Sequence, residues 1–406
     1  MPRTRSPLTV AIACGGTGGH LFPGLAVAEE LRRRDCAVTL LVSPKAVDQQ
    51  AVQGIDDLTV VTLPAVAFQR GSRLAFFRDS VRAYRELRAA WYRSETAGLK
   101  AGATPHAALG MGGFTSVAPL LAARRGGATT FLHEANAIPG RANRLLSRMV
   151  DQSFVGFPSA GHRLRGPRAL VTGTPVRSVF VAAGRAPQSQ TTRRLTLGLH
   201  PDRPVALVVG GSQGARGLND AVRAALPVLA QRAPEMQWIH LTGAHDVETV
   251  KAAYAAARLT AIVLPFFDAM DVALGAASVC ISRAGASFLA EVTTLRVPAV
   301  LVPLPTAADN HQWHNARQLA ADGAACLLEQ AWATPESLAG AVCGLVNNPA
   351  AAAQMRAAQE RWQSPRAAAD VAEALLRGIA KRQPVNSSLP LSPTDNVPEI
   401  HPVLSA

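Results

Sequence analysis

Residues 8–20 read LTVAIACGGTGGH, and residues 204–217 read PVALVVGGSQGARG. Each segment is an apolar strand followed by a glycine-rich turn, and each turn leads into a helix-like stretch, predicted over 22–34 and 218–231. Both segments begin a series of alternating strands and helices. The sequence therefore predicts an α/β protein with two doubly wound parallel sheets, one in each of two Rossmann-like domains.

The boundary between the two domains is predicted near residues 172–177, where glycine and proline interrupt the pattern. The polar stretch 182–192 is expected to form a loop. The C-terminal end is rich in proline, serine and asparagine, a composition typical of disorder. The chain is accordingly divided into a first domain, a second domain, a C-terminal helix that returns to the first domain, and a disordered tail: residues 1–174, 175–362, 363–382 and 383–406.

The charge balance indicates an anionic partner. The chain of 406 residues carries a formal net charge of +13, which favours nucleic acid, an anionic membrane surface or phosphorylated substrates. Only 5% of the residues are aromatic, and no basic run is interleaved with rings, so no nucleic-acid partner is predicted. The five cysteines are scattered, which is typical of reduced thiols in a cytoplasmic protein. No apolar run approaches the roughly 20 residues of a membrane span, so any membrane contact is predicted to be peripheral.

The two glycine-rich turns are candidate anion sites. A helix N-terminus preceded by glycines offers free N–H groups and the positive end of the helix dipole to a phosphate. The alternative is a tight strand-to-helix turn that binds nothing. A nicotinamide-dependent enzyme is disfavoured because neither turn has Gly-x-Gly-x-x-Gly spacing, and because strand 38–42 is followed by Ser43-Pro44-Lys45 without an acidic residue for a ribose.

Two further stretches carry polar residues at predicted strand ends. Residues 282–291 read SRAGASFLAE, so Glu291 lies about a turn and a half into a helix, where its carboxylate would accept ribose hydroxyls. The alternative is a solvated surface glutamate. Residues 309–316 read DNHQWHNA, and these amides and imidazoles suit hydroxyl recognition or, alternatively, a capped surface helix.

Taken in order, these stretches resemble the MurG family of bacterial N-acetylglucosaminyltransferases, and the likeness extends to about residue 380. The motifs that carry it are 15–20 (GGTGGH) with 23–24 (PG), 110–114 (GMGGF), 133–136 (HEAN), 173–177 (GTPVR), 210–215 (GGSQGA), 283–291 (RAGASFLAE), and 311–316 (HQWHNA). The resemblance implies a GT-B glycosyltransferase fold with the active site in a central cleft between the domains.

The resemblance also implies the reaction. N-acetylglucosamine would pass from UDP-N-acetylglucosamine, with inversion, to the 4-hydroxyl of N-acetylmuramic acid in lipid I, giving lipid II and UDP for peptidoglycan synthesis. The implied location is peripheral, on the cytoplasmic face of the plasma membrane, with cell-wall synthesis proteins as possible partners. The alternatives are a related GT-B transferase with a different lipid acceptor and a nucleotide-sugar binding protein without catalysis.

The resemblance assigns roles to individual residues. The diphosphate would be held by Ser212, Arg177 and the amides of Ala286 and Ser287. Phe267 would lie against the uracil, and Glu291 would bind the ribose. The donor sugar would be bound by Gln312 and Asn136, and the acceptor side would be lined by Thr17, Gly18 and Gly19. Two residues depart from the family pattern. Ala135 stands where glutamine is usual, which removes a polar contact. Phe288 stands where threonine is common, which leaves only its backbone N–H for a phosphate.

The reaction needs a base for the acceptor hydroxyl and positive groups for the departing diphosphate. His20 is one candidate base, because an imidazole titrates near neutrality; the alternative is a helix-capping histidine. Glu134 is the other candidate base. Arg177 and the helix N-termini would neutralise the leaving UDP. The sequence has no Asp-x-Asp pair, so a mechanism without metal or other cofactor is predicted.

Residues 70–93 suggest a membrane contact. Apolar side chains recur near helical spacing among arginines, and such a stripe can lie in an anionic interface. The alternative is an ordinary helix that packs the stripe into its own domain. The apolar residues are Leu74, Phe77, Val81, Tyr84 and Trp91, and the arginines are Arg73, Arg78, Arg82, Arg85 and Arg88.

Overall fold

The computed structural model describes residues 7–53, 58–64, 73–92, 104–185, 189–211 and 214–382. The first domain alternates strands and helices: β1 (Thr9–Ala13), α1 (Gly18–Arg32), β2 (Ala37–Val42), α2 (Ala46–Val52), β3 (Thr59–Thr62), α3 (Arg73–Tyr92), β4 (Ala107–Gly110), α4 (Val117–Arg125), β5 (Thr129–Glu134), α5 (Arg141–Leu146), β6 (Gln152–Val155), α6 (Pro158–Gly161) and β7 (Leu170–Val171). A 3-10 turn, Phe114–Ser116, precedes α4.

The second domain repeats this plan: α7 (Ser178–Arg185), α8 (Gln190–Thr196), β8 (Val205–Val209), α9 (Arg216–Arg232), β9 (Gln237–Leu241), α10 (Val247–Ala256), β10 (Ala261–Leu264), α11 (Met270–Ala276), β11 (Val279–Ser282), α12 (Ala286–Leu295), β12 (Ala299–Leu301), α13 (His311–Ala321), β13 (Cys326–Leu327), α14 (Pro335–Val346) and α15 (Pro349–Glu360), with α16 (Ala367–Arg382) at the end. Two 3-10 turns, Ala308–Asn310 and Gln330–Trp332, flank α13 and β13.

Each domain is built on a parallel sheet. The strand order is β3-β2-β1-β4-β5-β6-β7 in the first sheet and β10-β9-β8-β11-β12-β13 in the second. Both orders reverse direction next to the first strand of the domain, between β1 and β4 and between β8 and β11. These reversals are the points where doubly wound sheets bind ligands, outside the carboxyl ends of the strands. The two doubly wound sheets predicted from the sequence are confirmed.

The cores explain why the strands are continuously apolar. Val10 and Ile12 pack into a cluster on one face of the first sheet, and Ala11 and Ala13 pack into a second cluster on the opposite face. Because helices cover both faces, every position of such a strand is buried. Complete burial of one large aliphatic side chain stabilises the fold by roughly 1.5–3 kcal/mol.

Two local predictions were wrong. The first helix begins at Gly18, inside the glycine run, and not near Phe22, so Gly18, Gly19 and His20 form its first turn. The stretch expected to be a loop carries the end of α7 and the start of α8, with residues 186–188 outside the described part. Helix α8 begins where the Ser189 side chain accepts a hydrogen bond from the backbone N–H of Thr192.

The chain crosses between the domains twice. The first crossing, residues 172–177, joins β7 to α7, and the second, residues 361–366, leads from α15 to α16, which packs on α1 and β5. The crossings touch: Gly173 has φ +77°, and a Cβ on it would lie 2.0 Å from Ser364 Oγ. The C-terminal tail predicted for 383–406 lies outside the described residues.

Candidate active site

The ends of β1, β4, β8 and β11 direct the glycine-rich loops of both domains into one cleft. Helix α1 of the first domain packs against α12 of the second. At this contact Ser287 Oγ, in the first turn of α12, donates a hydrogen bond of 2.6 Å to the carbonyl of Gly19. The structure therefore brings together Gly19, predicted to line the acceptor side of the cleft, and Ser287, predicted to hold the donor diphosphate.

His20 lies against the loop that follows β4. Its ring packs on Gly112 and Gly113, and Nδ1 lies 3.3 Å from Thr17 Oγ1. Gly112 has φ +112°, and a Cβ there would lie 3.1 Å from His20 Nε2, so both the backbone conformation and the close approach require glycine. Burial lowers the pKa of His20 to about 4, although Asp48 acts in the opposite direction. The imidazole is therefore neutral at pH 7 and able to accept a proton.

Glu134, at the end of β5, is buried and has all the donors it needs. One carboxylate oxygen accepts hydrogen bonds from the backbone N–H and the side-chain amide of Asn136, and the other accepts from the Gly140 N–H and Asn143 Nδ2. Burial raises the pKa of Glu134, whereas these hydrogen bonds act to lower it. Because the Glu134 carboxylate accepts four hydrogen bonds, it fixes the conformation of the loop between β5 and α5.

Two asparagines with no individual role predicted from the sequence, Asn315 and Asn143, organise the cleft. Asn315 on α13 is fully buried; its Nδ2 donates to Asn136 Oδ1 at 3.1 Å and its Oδ1 accepts from the Ala137 N–H at 2.9 Å, so it ties the second domain to the first. Asn143 on α5 links Glu134 to the Gly112 loop, since a Cβ on Gly112 would lie 3.2 Å from its Nδ2. The sequence alone does not show that an asparagine in a helix is buried, so these two contacts could not be predicted from it.

Arg177 and Glu291 form a pair on the second-domain side. Arg177 Nη2 lies 3.6 Å from Glu291 Oε1, and the guanidinium lies over the rings of Phe22 and Phe180 at 4.5 and 5.0 Å. The alternative interpretation of Glu291 as a solvated surface glutamate is wrong, because this residue is 7% exposed. Burial raises the pKa of Glu291 to about 7, although the nearby Arg177 acts to lower it.

Gln312, in the first turn of α13, is held in a fixed orientation. Its Oε1 accepts hydrogen bonds from the backbone N–H groups of Ala284 at 3.2 Å and Leu304 at 3.0 Å. Because the oxygen is occupied, the side chain presents its amide Nε2 as a donor. This geometry suits recognition of a hydroxyl or a carbonyl oxygen.

The remaining predicted residues lie at the same ends of the second sheet. Phe267 follows β10 and is half-buried, while Ala286 and Ser287 form the first turn of α12, where backbone N–H groups are free for an anion. The two departures from the family pattern meet at one apolar cluster with residues from both domains: Ala135 is part of it, and Phe288 packs against it. Ser212 lies outside the described residues.

The apolar stripe of α3 is divided between core and surface. Trp91 is buried and Tyr84 is packed against the same first-domain cluster, so for these residues the membrane-facing expectation was wrong. Arg78, Arg82 and Arg85 remain exposed along the helix, and the side chains of Arg73, Leu74 and Phe77 lie outside the described part. Across the described ranges, no helix is both long and apolar enough to span a membrane. Nor do the described side chains form a cluster of three or more His, Cys, Asp and Glu suited to a metal ion.

Comparison with known proteins identifies relatives along most of the chain. Residues 10–155 match the N-terminal domain of glycosyltransferase family 28, and residues 205–373 match its C-terminal domain. The chain is 37% identical over 382 residues to a UDP-N-acetylglucosamine--N-acetylmuramyl-(pentapeptide) pyrophosphoryl-undecaprenol N-acetylglucosamine transferase of Nitratidesulfovibrio vulgaris, covering 90% of this chain and 96% of that protein. It is 35% identical over 364 residues to the enzyme of the same name from Pelobacter propionicus, covering 84% and 92%.

Solved structures agree with this assignment. The crystal structure of Acinetobacter baumannii MurG has a TM-score of 0.66 and 29% identity, and the match covers 91% of this chain and all of that one. A UDP-GlcNAc 2-epimerase from Neisseria meningitidis, bound to UDP-GlcNAc, has a TM-score of 0.65 at 14% identity, covering 92% of this chain and all of that one, and so shares the fold. The predicted GT-B fold is confirmed.

Proposed function

The chain belongs to glycosyltransferase family 28, among its UDP-N-acetylglucosamine-dependent transferases, and from this premise we propose that it transfers N-acetylglucosamine to lipid I. The products are lipid II and UDP, and the acceptor group is the 4-hydroxyl of N-acetylmuramic acid. The observation that carries the proposal is the meeting of two nucleotide-type sheets at their switch points, with His20 at one and the Arg177–Glu291 pair at the other.

The donor is assigned to the second domain. Arg177, Ser212 and the free N–H groups of Ala286 and Ser287 hold the diphosphate, since a helix N-terminus and a guanidinium both favour negative charge. Glu291 accepts the ribose hydroxyls and Phe267 lies against the uracil. Gln312 is assigned to the donor sugar because two backbone N–H groups bond to its Oε1 and so fix the direction of its Nε2 donor.

The acceptor is assigned to the first domain, with Thr17, Gly18 and Gly19 lining its site. The geometry supports His20 rather than Glu134 as the general base: both oxygens of Glu134 are already occupied by donors, whereas the His20 ring has one long contact, from Nδ1 to Thr17 Oγ1 at 3.3 Å. Glu134 is therefore proposed as a positioning residue that orders Asn136 and Asn143. Attack of the acceptor oxygen on the face of the sugar opposite UDP inverts the anomeric centre.

Arg177 and the α12 N-terminus stabilise the charge that develops on the departing UDP, a role that a divalent metal plays elsewhere. A metal-independent mechanism is proposed from the lack of an Asp-x-Asp pair in the sequence. We place the protein peripherally at the cytoplasmic face of the plasma membrane. The exposed arginines of α3, Arg78, Arg82 and Arg85, support this location because they suit an anionic lipid surface. The domain limits at 174/175 and 362/363 and the association with cell-wall synthesis proteins remain predictions.

The decisive experiment is incubation of the protein with UDP-N-acetylglucosamine and a lipid I analogue, followed by measurement of UDP and of the disaccharide product. We expect UDP release only when the acceptor is present. Hydrolysis of the donor without a disaccharide product, or binding without turnover, would contradict the proposed activity.

A further inference from the structure

A groove opens at the rim of the cleft next to α5. The residues that line it are Ile138, Arg141, Arg144, Leu145, Arg148 and Asp309. All of these belong to the first domain except Asp309, which precedes α13 in the second. The groove therefore lies between the domains and contains basic, acidic and apolar side chains.

Helix α5 separates this groove from the proposed catalytic loops. On its inner face Asn143 is buried and bonded to Glu134, whereas the next two residues, Arg144 and Leu145, are exposed on its outer face. Leu145 is 55% exposed and lines the groove, so it contributes apolar surface there. Since a helix is about 10 Å across, the groove lies within one helix diameter of the loop that holds His20.

Asp309 forms ion pairs with two of these arginines. Its carboxylate lies 2.6 Å from Arg144 Nη2 and 3.4 Å from Arg141 Nη2, so it connects the two domains by ion pairs. The backbone of Asp309 and Asn310 is left-handed, with φ of 49° and 51°, a conformation that aspartate and asparagine adopt more readily than other non-glycine residues. This turn places the acidic group against the arginines.

The charge of the groove matches one particular ligand. Three guanidinium groups and one carboxylate give a net charge of two positive units at neutral pH, and a diphosphate diester carries two negative charges. The half-buried Ile138 and the exposed Leu145 side chains beside the arginines suit the apolar chain that such a diester carries. Guanidinium groups bind phosphate oxygens in paired, directional contacts.

We propose that this groove binds the diphosphate of the lipid-linked acceptor, with phosphate oxygens replacing the Asp309 carboxylate on Arg141 and Arg144. This inference rests on the proposed function, because it extends the acceptor site from His20 outward. The donor diphosphate is assigned to Arg177 and α12 in the second domain, whereas these arginines belong to the first. Exchange of Asp309 for phosphate also removes an ion pair between the domains when the acceptor binds.

The test compares the double variant Arg141→Gln/Arg144→Gln with Arg232→Gln, which removes a charge from the surface end of α9. The acceptor is a soluble lipid I analogue with a ten-carbon prenyl chain. We expect the double variant to raise the acceptor KM by about ten-fold, while kcat and the UDP-N-acetylglucosamine KM change by less than about two-fold. Arg232→Gln should alter none of the three. Asp309→Asn should lower the acceptor KM, because it removes the competing carboxylate.

Calorimetric binding of the same analogue without donor separates the two proposals. Binding that is weakened in the double variant, but without turnover in the wild-type protein, would support the groove and contradict the proposed function. Turnover with an unchanged acceptor KM in the double variant would overturn the groove. A further arm measures binding to vesicles of phosphatidylglycerol and phosphatidylethanolamine. Loss of vesicle binding with normal affinity for the soluble analogue would identify the groove as a membrane contact and refute the proposal.

Discussion

Replacement of Glu291 by glutamine should change how the stability of the protein depends on pH. The carboxyl group is 7% exposed, and burial raises its pKa from 4.5 to about 7 despite the Arg177 guanidinium 3.6 Å away. The folded chain therefore binds this proton more tightly than the unfolded chain does. The contribution of this proton to the free energy of unfolding is therefore fully present below about pH 4.5 and is lost as the pH rises through about 7.

The size of the effect follows from the two pKa values. The difference between 4.5 and about 7 corresponds to roughly 3 kcal/mol, since one pH unit equals about 1.4 kcal/mol. Glutamine keeps the shape of the side chain and cannot ionise, so the variant lacks this dependence. Relative to the wild-type protein, we expect Glu291→Gln to gain roughly 3 kcal/mol of unfolding free energy between pH 4.5 and pH 8.5.

Urea unfolding of both proteins, followed by circular dichroism at pH 4.5, 5.5, 6.5, 7.5 and 8.5, measures this gain. Other groups titrate in the same range; burial lowers the pKa of His133 to about 4 and of His240 to about 3, which gives a stability that rises with pH. These contributions are common to both proteins and cancel in the difference. Glu248→Gln, which changes a side chain that is 86% exposed, is the matched control, and its unfolding free energy should follow that of the wild-type protein at every pH.

UDP binding provides the second measurement on the same variant. The loss of a charged acceptor for the ribose hydroxyls should weaken UDP binding by about ten-fold or more. A stability difference that stays constant from pH 4.5 to 8.5 would refute the raised pKa of Glu291. An unchanged dissociation constant for UDP would remove this residue from the donor site.

Three further predictions concern catalysis. His20→Ala should lower the rate by about 10²- to 10⁴-fold, leave the affinity for UDP nearly unchanged and remove the limb of the pH–rate profile that reports the imidazole. Glu134→Gln should retain more activity than His20→Ala, and the reverse ranking would make Glu134 the base. Gly112→Ala should lower kcat without weakening UDP binding, because the added Cβ would lie 3.1 Å from His20 Nε2; normal turnover would show that the ring position is not critical. Turnover should survive excess EDTA, and an activity that chelation abolishes and magnesium restores would contradict the metal-free mechanism.

The sequence predicted the architecture because its signals are local. An apolar strand, a glycine turn and a helix follow one another within residues 8–34, so each domain could be recognised from one short stretch. The start of α1 was misplaced because glycine is a poor helix former, yet Gly18 and Gly19 lie in the first helical turn. The polar segment at 182–192 was misjudged for a similar reason, since polarity alone does not distinguish a loop from a short capped helix.

The environment of the site residues depended on distant parts of the chain. The sequence left open whether Glu291 lies at the surface, because its burial arises from Arg177 and its neighbours, which only the tertiary fold brings near. Asn315 was treated as part of a polar helix because its partners, Asn136 and Ala137, lie in the other domain. Such contacts leave no periodicity in the sequence, so the sequence indicates which residues belong to the site but not which of them contact one another.

The contact between the two interdomain crossings limits how the enzyme can open. The two crossings pack against each other at Gly173 and Ser364, so they form one hinge, and any opening of the cleft turns about an axis through it. The axis is anchored on both sides: His133, buried in the first domain, bonds to the Gly173 carbonyl at 3.0 Å, and Gln363 donates to the Thr293 carbonyl at 3.0 Å in the second. Opening of the cleft for substrate entry and for product release is therefore expected to use the same hinge.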